Sequence, residues 1–120
     1  ERLARDEEPT VYGDGEQSLD YVYVDDAIAA LLALAAPEHD GKTLNVSSGK
    51  GTTVNALTAA MLDASGSRRS PRMCPPDWTA GSRRVGDPAV AARELGWTAS
   101  TPIETGVRRC WEWLGRSERA

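Results

Sequence analysis

The stretch from Val11 to Ala36, VYGDGEQSLDYVYVDDAIAALLALAA, decides the architecture: two strand-forming runs, a glycine turn, paired acids and an apolar helix follow without a spacer. Val11-Tyr12 is short and β-prone, and Gly13-Asp14-Gly15 is a tight turn whose glycines permit positive φ. Asp20-Tyr21-Val22-Tyr23-Val24 is rich in aromatic and β-branched residues and reads as a buried strand. Asp25 and Asp26 stand where a helix needs acceptors for its unpaired amides, so the helix is expected to run from the aspartates to Ala36. Its circumference carries no charge. Ile28, Leu31, Leu32 and Ala35 form one face, expected to be covered within the domain, and the side with Ala29, Ala30 and Ala33 is expected to meet another domain.

Downstream, Pro37 to Gly41 breaks the helix, and Lys42 to Val46 is predicted as a short strand leading into the Ser47 to Gly51 turn. Thr52 or Thr53 caps a second helix with Val54, Leu57, Met61 and Leu62 at helical spacing, closed by Gly66. Ser67 to Thr79 holds at most one edge strand, around Arg72-Met73-Cys74. Asp87-Pro88 opens a third helix that ends at Gly96, with Trp97 anchoring its exit. Thr101-Pro102-Ile103-Glu104 reads as a capping box with a proline in the first turn. The last helix then sets Ile103, Val107, Cys110, Trp111 and Leu114 on one face, and Glu104–Arg108 and Glu112–Arg116 pairs on the other.

With 120 residues, the chain is one small domain with a modest core. A formal charge of −4 gives no basic face for phosphate-backbone neutralisation, so no nucleic-acid partner is expected. The longest apolar run is about half of what spans a bilayer, and no signal peptide is seen, so no membrane association and a cytoplasmic location are expected. Cys74 and Cys110 are distant and His39 is the single histidine, which supports neither a disulfide framework nor a metal site.

Gly13-Asp14-Gly15-Glu16-Gln17-Ser18-Leu19-Asp20-Tyr21-Val22-Tyr23-Val24-Asp25-Asp26 resembles the GDGxQxRDFVYVDD signature of the extended short-chain dehydrogenase/reductases, the NAD(P)-dependent nucleotide-sugar epimerases and dehydratases of the UDP-glucose 4-epimerase type. Thr43 to Gly49 is similar to that family's NVGSG strand and turn. Ala92-Arg93-Glu94-Leu95-Gly96-Trp97, Thr101 to Gly106 and Trp111-Glu112-Trp113 are similar to its ending. These motifs come in family order over nearly the whole chain. The resemblance implies an α/β fold, locally α+β: a small mixed sheet with about four helices, the C-terminal substrate part of a Rossmann-type enzyme. Residues 1–120 are then one substrate-binding domain or fragment whose dinucleotide-binding half lies elsewhere. No G-x-G-x-x-G or Tyr-x-x-x-Lys is present, so no catalytic, cofactor-binding or metal residue is assigned, and this chain alone is expected to be inactive.

By the same resemblance, Val11 and Tyr12 flank the base of a nucleotide-sugar, and Gln17 donates to a ligand oxygen. The arginine that reaches the diphosphate two residues after the glutamine is replaced by Leu19, which cannot neutralise charge. A second phosphate arginine belongs to an R-P-G-D run before the last two helices, where Arg83 or Arg84 could serve. The partners implied are a nucleotide-sugar, the missing half and, left open, a second copy in a homodimer; the cofactor is NAD or NADP, bound by that half. Leu19 also suits a related oxidoreductase acting on a non-nucleotide alcohol or ketone, and a non-catalytic binding protein of this fold is the third alternative.

Overall fold

A computed structural model describes residues 1–117, with side chains through residue 115. In chain order the elements are β1 (Thr10–Tyr12), β2 (Ser18–Asp20), α1 (Val24–Leu34), β3 (Gly51–Thr53), α2 (Val54–Ser65), β4 (Arg72–Cys74), β5 (Arg83–Arg84), α3 (Ala89–Leu95) and α4 (Ile103–Ser117). Short 3-10 turns occupy Leu3–Arg5 and Pro37–His39. Among the described residues the result is α/β: four helices beside two small sheets. In one, β1 pairs in parallel with β4; in the other, β2 is central, antiparallel to β3 and parallel to β5.

The local signals for helix ends hold where one side chain suffices. The Thr53 hydroxyl accepts from the Ala56 amide at 3.1 Å and caps α2, and Gly66 closes that helix with φ 66°. Asp87 accepts from the Ala89 amide at 2.9 Å just ahead of α3, but the N-cap is Pro88, one residue later than expected, because the first carbonyl bonded within the helix is that of Pro88; the helix ends at Gly96 as expected. The edge strand at Arg72–Cys74 forms as expected.

The organising stretch is divided differently. The second strand is Ser18–Asp20, not Asp20 to Val24, because β3 and β5 pair with β2 only as far as Asp20. Beyond it, Tyr23 packs on α4, where a Cβ on Gly106 would lie 3.1 Å from the tyrosine ring, so that position has room only for glycine unless the ring gives way. Helix α1 starts at Val24 with Tyr23 as an unassisted N-cap, and the two aspartates sit inside its first turn, where their charge suits the helix dipole. Lys42 to Val46 forms no strand, since among the described residues no sheet edge pairs with it.

The faces of α1 also depart from the expectation, although Ala29 is exposed as expected. Ala30 is 1% exposed and forms the core with Ala91 and Trp97, while Ile28, Leu31 and Leu32 are 47%, 61% and 72% exposed. Small side chains allow α1 and α3 to approach closely at Ala30 and Ala91; leucines at that contact would hold the backbones apart. The apolar face of α4 meets α2 but leaves a cavity of about 450 Å³ beside Leu57, Met61, Val107 and Trp111. Cys110, expected on that apolar face, is exposed, as is Trp113.

Thr101 and Glu104 do not form a capping box. The first carbonyl bonded within α4 is that of Pro102, and the Thr101 amide instead donates to Asp26 at 2.8 Å. The Glu104–Arg108 pair is not closed among the described residues, and the Arg116 side chain of the other expected pair lies outside them.

Candidate functional site

The turn between β1 and β2 is built first, because it sets where both strands end. Gly15 has φ 75°, which L side chains adopt at a cost, and a Cβ there would meet the Asn55 amide oxygen at 2.0 Å. Asn55 uses that approach: its amide nitrogen donates to the Asp14 carbonyl at 2.9 Å and to the Glu16 carboxylate at 2.7 Å. The turn is thus pinned to the first turn of α2.

Within this frame Val11 is 1% exposed, so its side chain is core, and Tyr12 beside it is 49% exposed. Gln17 is buried at 4% exposure; its Nε2 donates to the Tyr12 carbonyl at 2.9 Å, and its Oε1 has no partner. The glutamine therefore braces the turn with one end and keeps an unused acceptor at the other. Leu19 lies in the middle of β2, opposite Thr52 on one side and Arg84 on the other. The parallel pairing of β2 with β5 sets Ser18 beside Arg83 and Leu19 beside Arg84, so three of the sequence-derived candidates come together.

Arg84 is exposed and its guanidinium carbon lies 4.9 Å from the centroid of the Trp78 ring. Among the described residues no carboxylate pairs with Arg83 or Arg84. A cleft of about 450 Å³ opens beside Arg84, lined also by Asp20, Asn45, Ser47 and Gly86. Ser47 is 6% exposed and its hydroxyl has no partner, so the cleft wall holds an unspent polar group.

Asp20 holds the cleft together, a role the sequence reading missed. One carboxylate oxygen accepts from the Ser48 amide at 2.8 Å and the Ser48 hydroxyl at 2.5 Å; the other accepts from the Gly49 amide at 2.9 Å and the Gly86 amide at 3.3 Å. Burial by itself raises the Asp20 pKa, but the bonds from Ser48, Gly49 and Gly86 together outweigh it and hold the carboxyl below its ordinary range. Gly86 must be glycine for this approach, because a Cβ would sit 2.6 Å from the Ser47 Cβ.

Arg84-Val85-Gly86-Asp87 reads as R-x-G-D, which is similar to the R-P-G-D run with Val85 in place of the proline. Asp26 supplies a second junction: burial favours its neutral form, but bonds from Thr101 and Ser100 prevail and depress its pKa. Its carboxylate receives the Ser100 amide and hydroxyl at 3.1 Å each, and the Trp97 indole nitrogen donates to its backbone carbonyl at 2.9 Å. Among the described residues no group of three histidine, cysteine or acidic side chains is placed for a metal, and no helix is long and apolar enough to cross a membrane.

Comparison with known proteins identifies relatives along the whole chain. The model of the NAD dependent epimerase/dehydratase family matches residues 1–47. A UDP-glucose 4-epimerase of Cyamopsis tetragonoloba is 35% identical over 133 aligned positions, covering 96% of this chain and 36% of the relative. A UDP-glucose 4-epimerase of Mycolicibacterium smegmatis is 30% identical over 87% of this chain and 33% of its own length. The crystal structure of the Thermotoga maritima UDP-glucose 4-epimerase with UDP-glucose superposes with a TM-score of 0.88 at 31% identity, over 98% of this chain and 38% of that one. The chain thus spans about a third of the length of the curated relatives it matches, and its likeness in sequence and in fold is to members of the NAD dependent epimerase/dehydratase family.

Proposed function

We propose that residues 1–120 are the substrate-binding domain of an NAD(P)-dependent epimerase/dehydratase that acts on a nucleotide-sugar. The observation that carries this reading is the pairing of β2 with β5, which puts Arg84 next to Leu19. A guanidinium at the neighbouring strand position can supply the paired N–H donors that leucine lacks, and a diphosphate is the ligand group such a fork matches. Relatives named UDP-glucose 4-epimerases, and the likeness to a structure holding UDP-glucose, support a uridine nucleotide-sugar as substrate.

On this reading Tyr12 lies along the nucleoside, and the neighbouring Val11 and Gln17 act through the backbone of β1: Val11 fills the core beneath it and Gln17 fixes the Tyr12 carbonyl. Arg84, with Arg83 beside it, neutralises the diphosphate, and Asp20 keeps the Arg84 strand against the Ser47–Gly49 turn. NAD or NADP, when bound by the other half of the protein, supplies the hydride acceptor and donor for a sugar carbon. The residues of this domain do not take the proton or the hydride. They hold the sugar end in place, and orientation of this kind contributes substantially to rate.

The other half also accounts for two unfinished features. The exposed Ile28, Leu31 and Leu32 form an apolar face with no cover among the described residues, and the adjoining Lys42 to Val46 segment has no strand partner. A sheet from the dinucleotide-binding half would satisfy both. With this reading go a cytoplasmic location and a homodimer, checked by cell fractionation and analytical ultracentrifugation.

The direct test is the full-length protein incubated with UDP-glucose and NAD, assayed for UDP-galactose. A variant sharpens it: Leu19→Arg adds a second guanidinium beside Arg84 and is expected to tighten UDP binding by about three- to tenfold at low salt. Unchanged or weaker binding would show that β2 does not face a phosphate.

A further inference from the structure

Trp78 is 78% exposed, more than Leu32 at 72% or Trp113 at 63%, yet the loop that carries it is firmly built. The Asp77 carboxylate accepts from the Thr79 amide at 2.8 Å and its hydroxyl at 2.5 Å, and the Ser82 amide donates to the Thr79 carbonyl at 3.0 Å. At its far end the loop is tied to β2, where the Ser18 amide donates to the Ser82 carbonyl at 3.0 Å. At its near end Pro76 rests on the β1–β2 turn, 3.5 Å from where a Cβ on Gly13 would stand.

What the ring does contact is Arg84, at 4.9 Å from guanidinium carbon to centroid. The guanidinium has five N–H donors around its edge. Stacking occupies a face and leaves that edge open, whereas a carboxylate partner would consume it. Among the described residues Arg84 has no carboxylate partner, so its charge and its fork remain available.

We infer that Trp78 is a positioning residue: it fixes the Arg84 guanidinium in advance for a nucleoside diphosphate, and so offsets the loss of the arginine at position 19. The inference rests on the nucleotide-sugar reading above. An unstacked surface arginine must lose its rotamer freedom when it binds phosphate, and a stacked one has already lost part of it. Trp78 acts on affinity through Arg84 and touches no part of the ligand itself.

The experiment measures UDP and uridine binding to the full-length protein by titration calorimetry, for Trp78→Leu, Trp78→Phe, Arg84→Ala and the Trp78→Leu/Arg84→Ala pair. Trp78→Leu is expected to weaken UDP binding about two- to fivefold and leave uridine unchanged, and Trp78→Phe to restore most of the loss. In the Arg84→Ala background Trp78→Leu should have no further effect. A loss equal for UDP and uridine, a loss that persists without Arg84, or no loss at all overturns the positioning role while the diphosphate reading stands. If Arg84→Ala itself leaves UDP affinity unchanged, the diphosphate reading fails, and the role of Trp78 with it.

Discussion

Replacing Asp20 by asparagine removes a charge without changing shape, and the structure sets the size of the effect. The carboxylate receives four hydrogen bonds, three of them from the backbone amides of Ser48, Gly49 and Gly86. Asparagine keeps one acceptor oxygen, which can retain Ser48, but turns an NH2 group toward the Gly49 and Gly86 amides. Two donors then face a donor. A hydrogen bond to a charged group is worth about 1.5–3 kcal/mol, and an unsatisfied buried donor costs about 1–3 kcal/mol. The Gly49 bond is exposed, so water replaces part of it, and the net loss is expected to be about 2 kcal/mol. With a urea dependence of about 1.5 kcal/mol per molar, the unfolding midpoint falls by roughly 1.3 M. In the full-length protein, hydrogen exchange of the 45–51 and 83–88 segments should quicken by about thirtyfold. The pH dependence has a definite sign. Because the folded pKa is depressed, the stabilisation is fully present above the unfolded carboxylate pKa of about 3.9 and is lost as pH falls through the lower folded value. Asp20→Asn should therefore flatten the acid limb of the stability profile. An unchanged midpoint at pH 7, with exchange at Gly86 unaltered, would refute the view that this carboxylate joins the two segments.

Asp26→Ala is expected to cost about 1–2 kcal/mol, more than Thr101→Ala, because the aspartate and not the threonine gathers the amides ahead of α4; equal midpoints for the two variants would reverse that ranking. Ala30→Glu should unfold the domain by placing a carboxylate against Ala91 and Trp97, and Leu32→Glu should leave the melting temperature of the 120-residue chain within about 2 °C while destabilising the full-length protein by about 1.5–3 kcal/mol. Tolerance of Ala30→Glu in a thermal melt would mean that the alanine face is the outer one. Gly15→Ala is expected to cost at least 2 kcal/mol, from positive φ and from displacement of Asn55; a denaturation midpoint equal to that of the parent would show that the turn is not pinned to α2.

What the sequence by itself determined was local or carried by motif. The Thr53 cap, the glycine ends at Gly66 and Gly96 and the Asp87 bond at the head of α3 each depend on residues within a few positions, so reading them required no knowledge of the fold. Family resemblance over several ordered motifs was equally legible, because turns and caps tolerate few residue types. The R-x-G-D run at Arg84 to Asp87 is also written in the sequence, although the sequence reading left the choice between Arg83 and Arg84 open.

Only the tertiary structure decided where β2 ends, because strand length is set by the partners β3 and β5 and not by the β-propensity of Tyr21 to Val24. It alone decided which face of α1 is inward, since a helix apolar all round offers no periodic signal and the choice falls to the closeness of approach at Ala30 and Ala91. The same holds for Asp20 and Asp26, whose hydrogen-bond partners lie 28 to 75 residues away along the chain. Leu19 and Arg84 are as distant in sequence. Their meeting is a property of strand register, which no local pattern encodes.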